Sequence, residues 1–101
     1  MSSSQAGSYK NVMELVVDEE IDHQTQHFSA DFAQSLNRIE LATFALNRLP
    51  PLYASSVEGV SFQYERAKRE LKHQVQEAVQ QALQVVAERP ERRSTPFHSA
   101  F

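Results

Sequence analysis

The sequence predicts a small all-α protein, and three observations lead there. Apolar residues recur at spacings of three and four along the middle of the chain, the period of a helix with one buried face. Two sets of boundary signals, Ser29 with Asp31 and the Pro50-Pro51 pair, divide that middle into three segments. The length of 101 residues, with 41% hydrophobic and 23% charged residues, suits one domain with a modest core.

Residues 1–8 are small and polar and read as an unstructured tail. They hold neither a basic start nor an apolar stretch, so they do not resemble a secretory signal. The first helix is expected over about Tyr9 to Phe28. Val12, Met13, Val16, Val17 and Ile21 form its apolar stripe, and Lys10, Glu14, Asp18 and Asp22 stack four apart in a polar row. Ser29 and Asp31 can cap a second helix, about Phe32 to Leu49, with Leu36, Ile39, Leu46 and Leu49 on one face. Pro50-Pro51 ends it, because proline disfavours the helical conformation of the residue before it, and the piece from Leu49 to Ala54 is extended.

The stretch Ser55-Ser-Val-Glu58 fits a capping box, in which Ser55 and Glu58 each satisfy a free backbone amide. A third helix is expected from about Val57 to Glu88, with Tyr64, Ala67, Leu71, Val75, Ala78, Ala82 and Val85 along a narrow seam. Such a helix is roughly 45 Å long at 1.5 Å per residue, longer than a globule of about 100 residues is wide. Part of it must then project or pack on another chain, and the narrow Ala/Leu/Val seam suits close helix–helix packing, which predicts a homodimer. Its many glutamines read as a solvated surface. Residues 89–101 hold Pro90, Pro96, Arg89, Arg92 and Arg93 without an apolar period and read as a second unstructured tail.

Composition excludes several functions. Without cysteine there is no disulfide scaffold, thiolate zinc site or cysteine nucleophile. Gly7 and Gly59 are too far apart for a phosphate-cradling glycine loop. A net charge of −3 argues against direct nucleic-acid binding, and the short apolar runs argue against a membrane span, so a cytoplasmic protein is expected. His23 and His27 stand four apart as a metal pair can, but the glutamate of a metalloprotease motif is missing; two surface histidines are the simpler reading, and no metal is expected. No nucleophile, base and acid assemble, so an enzyme is not expected.

A solvated helix face accounts for the row Lys10, Glu14, Asp18 by itself. Asn47 and Arg48, at a helix end beside the rigid proline pair and Tyr53, add a second polar set. Together these residues include what a purine nucleotide needs: Arg for the Hoogsteen edge or face of guanine, a carboxylate for its amide and amine, an aromatic ring to stack, and Lys for a phosphate.

The segments Tyr9-Lys-Asn-Val-Met-Glu14, Asp18-Glu-Glu20 and Thr43-Phe-Ala-Leu-Asn-Arg-Leu-Pro-Pro-Leu-Tyr-Ala-Ser-Ser56 resemble the late-competence ComFB family in its cyanobacterial form, over about Tyr9 to Val86. The resemblance implies an all-α homodimer that binds a cyclic dinucleotide, mainly cyclic di-GMP, with cyclic di-AMP reported among relatives. It implies a receptor whose ligand state changes which proteins it engages, such as a transcription factor, and no other cofactor. Some relatives hold zinc through cysteines that this chain lacks. Lys10, Asn11, Glu14 and Asp18 match the first motif block, and Asn47, Arg48 and Tyr53 the second, with Thr43 and Ser55 as weaker candidates. In that reading Arg48 takes a guanine edge, face or phosphate, Glu14 or Asp18 the guanine amide, and Lys10 a phosphate, while Tyr53 stacks or hydrogen-bonds. A helical adaptor without a ligand and a small DNA-binding regulator are the competing readings.

Overall fold

The computed structural model describes residues 7–88. The tails expected at residues 1–8 and 89–101 lie outside that range except for Gly7 and Ser8, which belong to no helix or strand. Seven elements follow in order: β1 (Lys10–Asn11), α1 (Met13–Thr25), α2 (Ala30–Ser35), α3 (Arg38–Leu46), β2 (Tyr53–Ala54), α4 (Val57–Glu70) and α5 (Lys72–Ala87). The all-α expectation holds, apart from a ribbon of two very short antiparallel strands in which Lys10 faces Ala54 and Asn11 faces Tyr53.

α3 packs on α5, α1 lies against both, and α4 covers β2 and part of α1. The apolar stripe of α1 is buried as its spacing requires: Met13, Val16, Val17 and Ile21 are at most 6% exposed. They meet Leu41 and Ala45 of α3, Leu52, Ala67 of α4, and Val75, Ala78, Val79 and Ala82 of α5. The alanines on α3 and α5 let the two helices approach closely.

Four boundaries differ from the sequence expectation, each for a physical reason. The first helix starts at Met13, not Tyr9, because residues 10 and 11 are drawn into the ribbon. Lys10 therefore leaves the four-residue row, and only Glu14, Asp18 and Asp22 remain on the helix. The second helical region is two helices. Ser29 caps α2 as expected, accepting from Phe32 N–H at 3.2 Å, but Leu36 turns extended and Asn37 caps α3 by accepting from Glu40 N–H at 3.1 Å. At the start of α4 the capping hydroxyl is that of Ser56, accepting from Gly59 N–H at 3.0 Å, rather than that of Ser55.

The fourth difference lies in the last helical region. The expected long rod breaks at Leu71, whose φ of −118° and ψ of 13° end α4 and start α5. Leu71 packs against the core, and its neighbours Ala67, Val75, Ala78 and Ala82 are buried within the same chain. The seam expected to face a partner is thus used internally, and helix length no longer argues for a dimer. Among the described residues no helix is long and apolar enough to cross a membrane.

Candidate ligand-binding site

The piece between α3 and β2 is built to be stiff. Arg48 and Leu49 donate backbone hydrogen bonds to Ala45 and Leu46, closing the end of α3 in tight turns. Pro50 and Pro51 then fix an extended path, and Leu52 anchors it in the core at 3% exposure. Asn11 clasps this path to the start of α1: its side-chain carbonyl accepts from Leu52 N–H at 2.8 Å and from Met13 N–H at 3.1 Å. Val12 N–H donates to Leu52 carbonyl at 2.8 Å beside it. The two motif blocks, far apart in sequence, are joined here backbone to side chain.

The candidate residues other than Asp18 fall into four places. Lys10, Asn11 and Tyr53 lie on the ribbon, where Tyr53 meets Tyr9 edge to face with ring centroids 5.7 Å apart. Glu14 is exposed on the first turn of α1, and Ser55 is exposed in the link to α4. Arg48, Asn47 and Thr43 sit at the end of α3. The Arg48 guanidinium carbon lies 3.7 Å from the centroid of the Phe44 ring, a stacked arrangement that suits the delocalised cation. Thr43 spends its hydroxyl on the Ile39 carbonyl at 2.7 Å, and Asn47 closes α3 through its backbone N–H.

Asp18 lies one turn after Glu14 on α1, and its carboxylate is already engaged. Arg38 Nε donates to its carboxylate at 2.9 Å, Arg38 Nη2 donates to its backbone carbonyl at 2.7 Å, and the same guanidinium pairs with Asp22 at 2.9 Å. Burial works against the charge of Arg38. The hydrogen bonds and charges of Asp18, then Asp22, more than offset this and hold its pKa above the ordinary value. Asp18 is therefore a strut between α1 and α3, already engaged by a cation.

Arg48 opens onto a groove of about 530 Å³ between the proline turn and α5, where Gln74, Glu77 and Gln81 form the far wall. The glutamine-rich face of the last helix, expected to be plain solvated surface, forms this wall. The signal was available, since Gln74, Glu77 and Gln81 recur at spacings of three and four on one face, with Ala78 beside them. Phe44 was also missed as the platform for Arg48, although it lies four residues before it, one helical turn away.

The description "late competence development protein ComFB" belongs to the family model that matches residues 10–90, nearly the whole described chain. The chain belongs to the ComFB family. No curated protein matches it. The match to the ComFB model takes in the ribbon, the Asn11 clasp, the proline turn and all of α5, so both polar sets described above fall inside the region that defines the family.

Proposed function

We propose that this ComFB-family chain is a receptor for cyclic di-GMP that acts by engaging another protein, and that it is not an enzyme. One observation carries the reading: Arg48, flattened against Phe44, shares a groove with Glu77. Guanine presents two acceptors on its Hoogsteen edge, which a guanidinium can meet with paired donors, and an amide and an amine on its Watson–Crick edge, which a carboxylate can accept. Glu77 replaces Asp18 in this role, because Asp18 is held by Arg38. Glu14 remains a second carboxylate candidate near the ribbon. Lys10 supplies a cation for a phosphate, and the Tyr9–Tyr53 pair supplies aromatic faces. The stiff proline turn lowers the ordering cost of binding.

Family membership supports the dinucleotide class, and the homodimer is proposed on that same ground alone. Cyclic di-AMP is the second reading. Gln74 and Gln81 favour it, because a glutamine amide can pair with the Hoogsteen edge of adenine. Titration calorimetry with cyclic di-GMP, cyclic di-AMP and GTP tests the proposal. Heat is expected with cyclic di-GMP and none with GTP, and Arg48→Ala is expected to abolish binding while the thermal transition persists. Silence with both cyclic dinucleotides overturns the receptor reading and leaves the adaptor.

A further inference from the structure

The chain from Val60 to Ala87 holds neither glycine nor proline, and Glu65 to Lys72 are all strong helix formers. The helix nonetheless stops at Glu70 and restarts at Lys72. The restart is incompletely finished. Ser29, Asn37 and Ser56 cap α2, α3 and α4 with their side chains, whereas Leu71 gives α5 no such cap. One continuous helix would pair the leading amides of α5 with the last carbonyls of α4. Local preference and tertiary packing therefore disagree at Leu71, and packing has to offset the difference.

That packing is slight. Ala67 is the one fully buried side chain of α4, with Val60 and Tyr64 partly buried against the core. Two polar contacts hold the helix from outside. The Tyr64 hydroxyl donates to Glu19 at 2.6 Å, and Gln63 Nε2 donates to the Tyr53 carbonyl at 3.2 Å. Both are exposed, so water replaces them at little cost. Docking also leaves Gln63 Oε1 buried without a hydrogen-bond partner among the described residues, a penalty that release of α4 removes. Leu71 itself packs against the core and lines the Arg48 groove, so its backbone conformation shapes both.

We infer that Leu71 is a hinge at which α4 swings between its bent packing and one continuous helix with α5, remaking the wall that Leu71 gives the Arg48 groove. An occupant that rests on Leu71 holds the bent form, because it binds that form better. An empty groove lets α4 leave the faces of α1 and β2 that it covers. The hinge does not depend on the nucleotide; its coupling to cyclic di-GMP rests on the receptor reading.

The chain has no cysteine, so the exposed pair Ser61→Cys/Gln84→Cys places two spin labels on the full protein, one on α4 and one on α5. In a continuous helix the two positions stand about 35 Å apart along the axis, at 1.5 Å per residue, and a bend shortens that distance. Pulsed electron spin resonance on the ligand-free chain is expected to show a short and a long distance. Leu71→Ala and Leu71→Gly remove the same side chain and differ in helix propensity, so the long-to-short ratio is expected to be about fivefold higher in the alanine variant. Tyr64→Phe keeps Leu71, cuts one of the two contacts to α4, and is expected to raise the ratio about threefold. A single short distance in all four proteins overturns the hinge, and so does an equal ratio in the alanine and glycine variants. Saturating cyclic di-GMP is expected to move the ratio about threefold or more toward the short distance. Calorimetry on the same sample separates the outcomes: binding with an unchanged ratio overturns the coupling, whereas no binding overturns the receptor reading and leaves the alanine and glycine variants to decide the hinge.

Discussion

The side-chain carbonyl of Asn11 and the backbone amide of Leu52 are joined at 2.8 Å across 41 residues of sequence. That bond ties the start of α1 to the proline turn and so holds Lys10, Tyr53 and Arg48 on one scaffold. Asn11 was a candidate ligand contact from its motif, and the structure gives its oxygen a different task. Asn11→Ala leaves two partly buried amides without an acceptor, an expected loss of about 1–3 kcal/mol. For a domain of this size that is a fall of about 4–8 °C in melting temperature per kcal/mol, read by thermal denaturation. Asn11→Asp keeps an acceptor and is expected to lose less; an equal loss in both variants would show that the clasp is not the cause.

The Arg38 strut predicts a different signature. Its carboxylate partners Asp18 and Asp22 are 59% and 70% exposed, so solvent screens both pairs. Arg38→Met is expected to destabilise by less than about 1 kcal/mol at low salt, with most of the difference gone near 1 M salt. Denaturant unfolding at two salt concentrations checks this. If Asp18 is a strut, Asp18→Asn should leave cyclic di-GMP affinity within about twofold of wild type, roughly 0.4 kcal/mol.

Tyr64 should titrate late. Its hydrogen bond to Glu19, followed by burial and the charge of Glu19, raises its pKa, while nearby Lys68 works the other way. Folding therefore favours the protonated phenol. The contact contributes fully below the ordinary tyrosine value of about 10 and is lost as pH rises through the higher folded value. Carbon-13 chemical shifts of the Tyr64 ring are expected to follow that course, with Glu19→Gln moving the midpoint down.

Selectivity should follow Glu77. Glu77→Gln is expected to weaken cyclic di-GMP binding about tenfold, within the 1–3 kcal/mol of a base-edge pair, and to change cyclic di-AMP binding much less. Phe44→Leu removes the platform beneath Arg48 and is expected to cost about 0.5–1 kcal/mol of affinity, a few-fold in Kd. Calorimetry reads both, and an equal loss for the two nucleotides in Glu77→Gln would remove Glu77 from base recognition.

The parts legible in the sequence were those set by local chemistry. The stripe of α1, the Ser29 cap and the stop at Pro50-Pro51 follow from side-chain spacing and backbone restriction, and all three stand in the structure. The ribbon could not be read locally, because Asn11 and Tyr53 are paired only after the helices between them have folded back. The break at Leu71 was hidden for a related reason. Leucine favours helix and no glycine or proline marks the place, so packing, not propensity, ends α4 there. The same limit applied to the site: Arg48 and Tyr53 carried a signal through their motif, whereas Glu77 carried only that of a helix face shared with Gln74 and Gln81, and what that face lines depends on how α5 packs on α3.

The two-residue ribbon also bears on the order in which the chain folds. It closes a loop running from β1 to β2, and closing a loop costs chain entropy before any contact returns it. A few hydrogen bonds between two-residue strands are too little to drive that closure alone. The helices it encloses must collapse first, so the ribbon locks late and opens early. Amide exchange at Leu52 and Tyr53 should then be faster than at Val79 in the middle of α5, and a partner that grips the ribbon would slow it without altering the core.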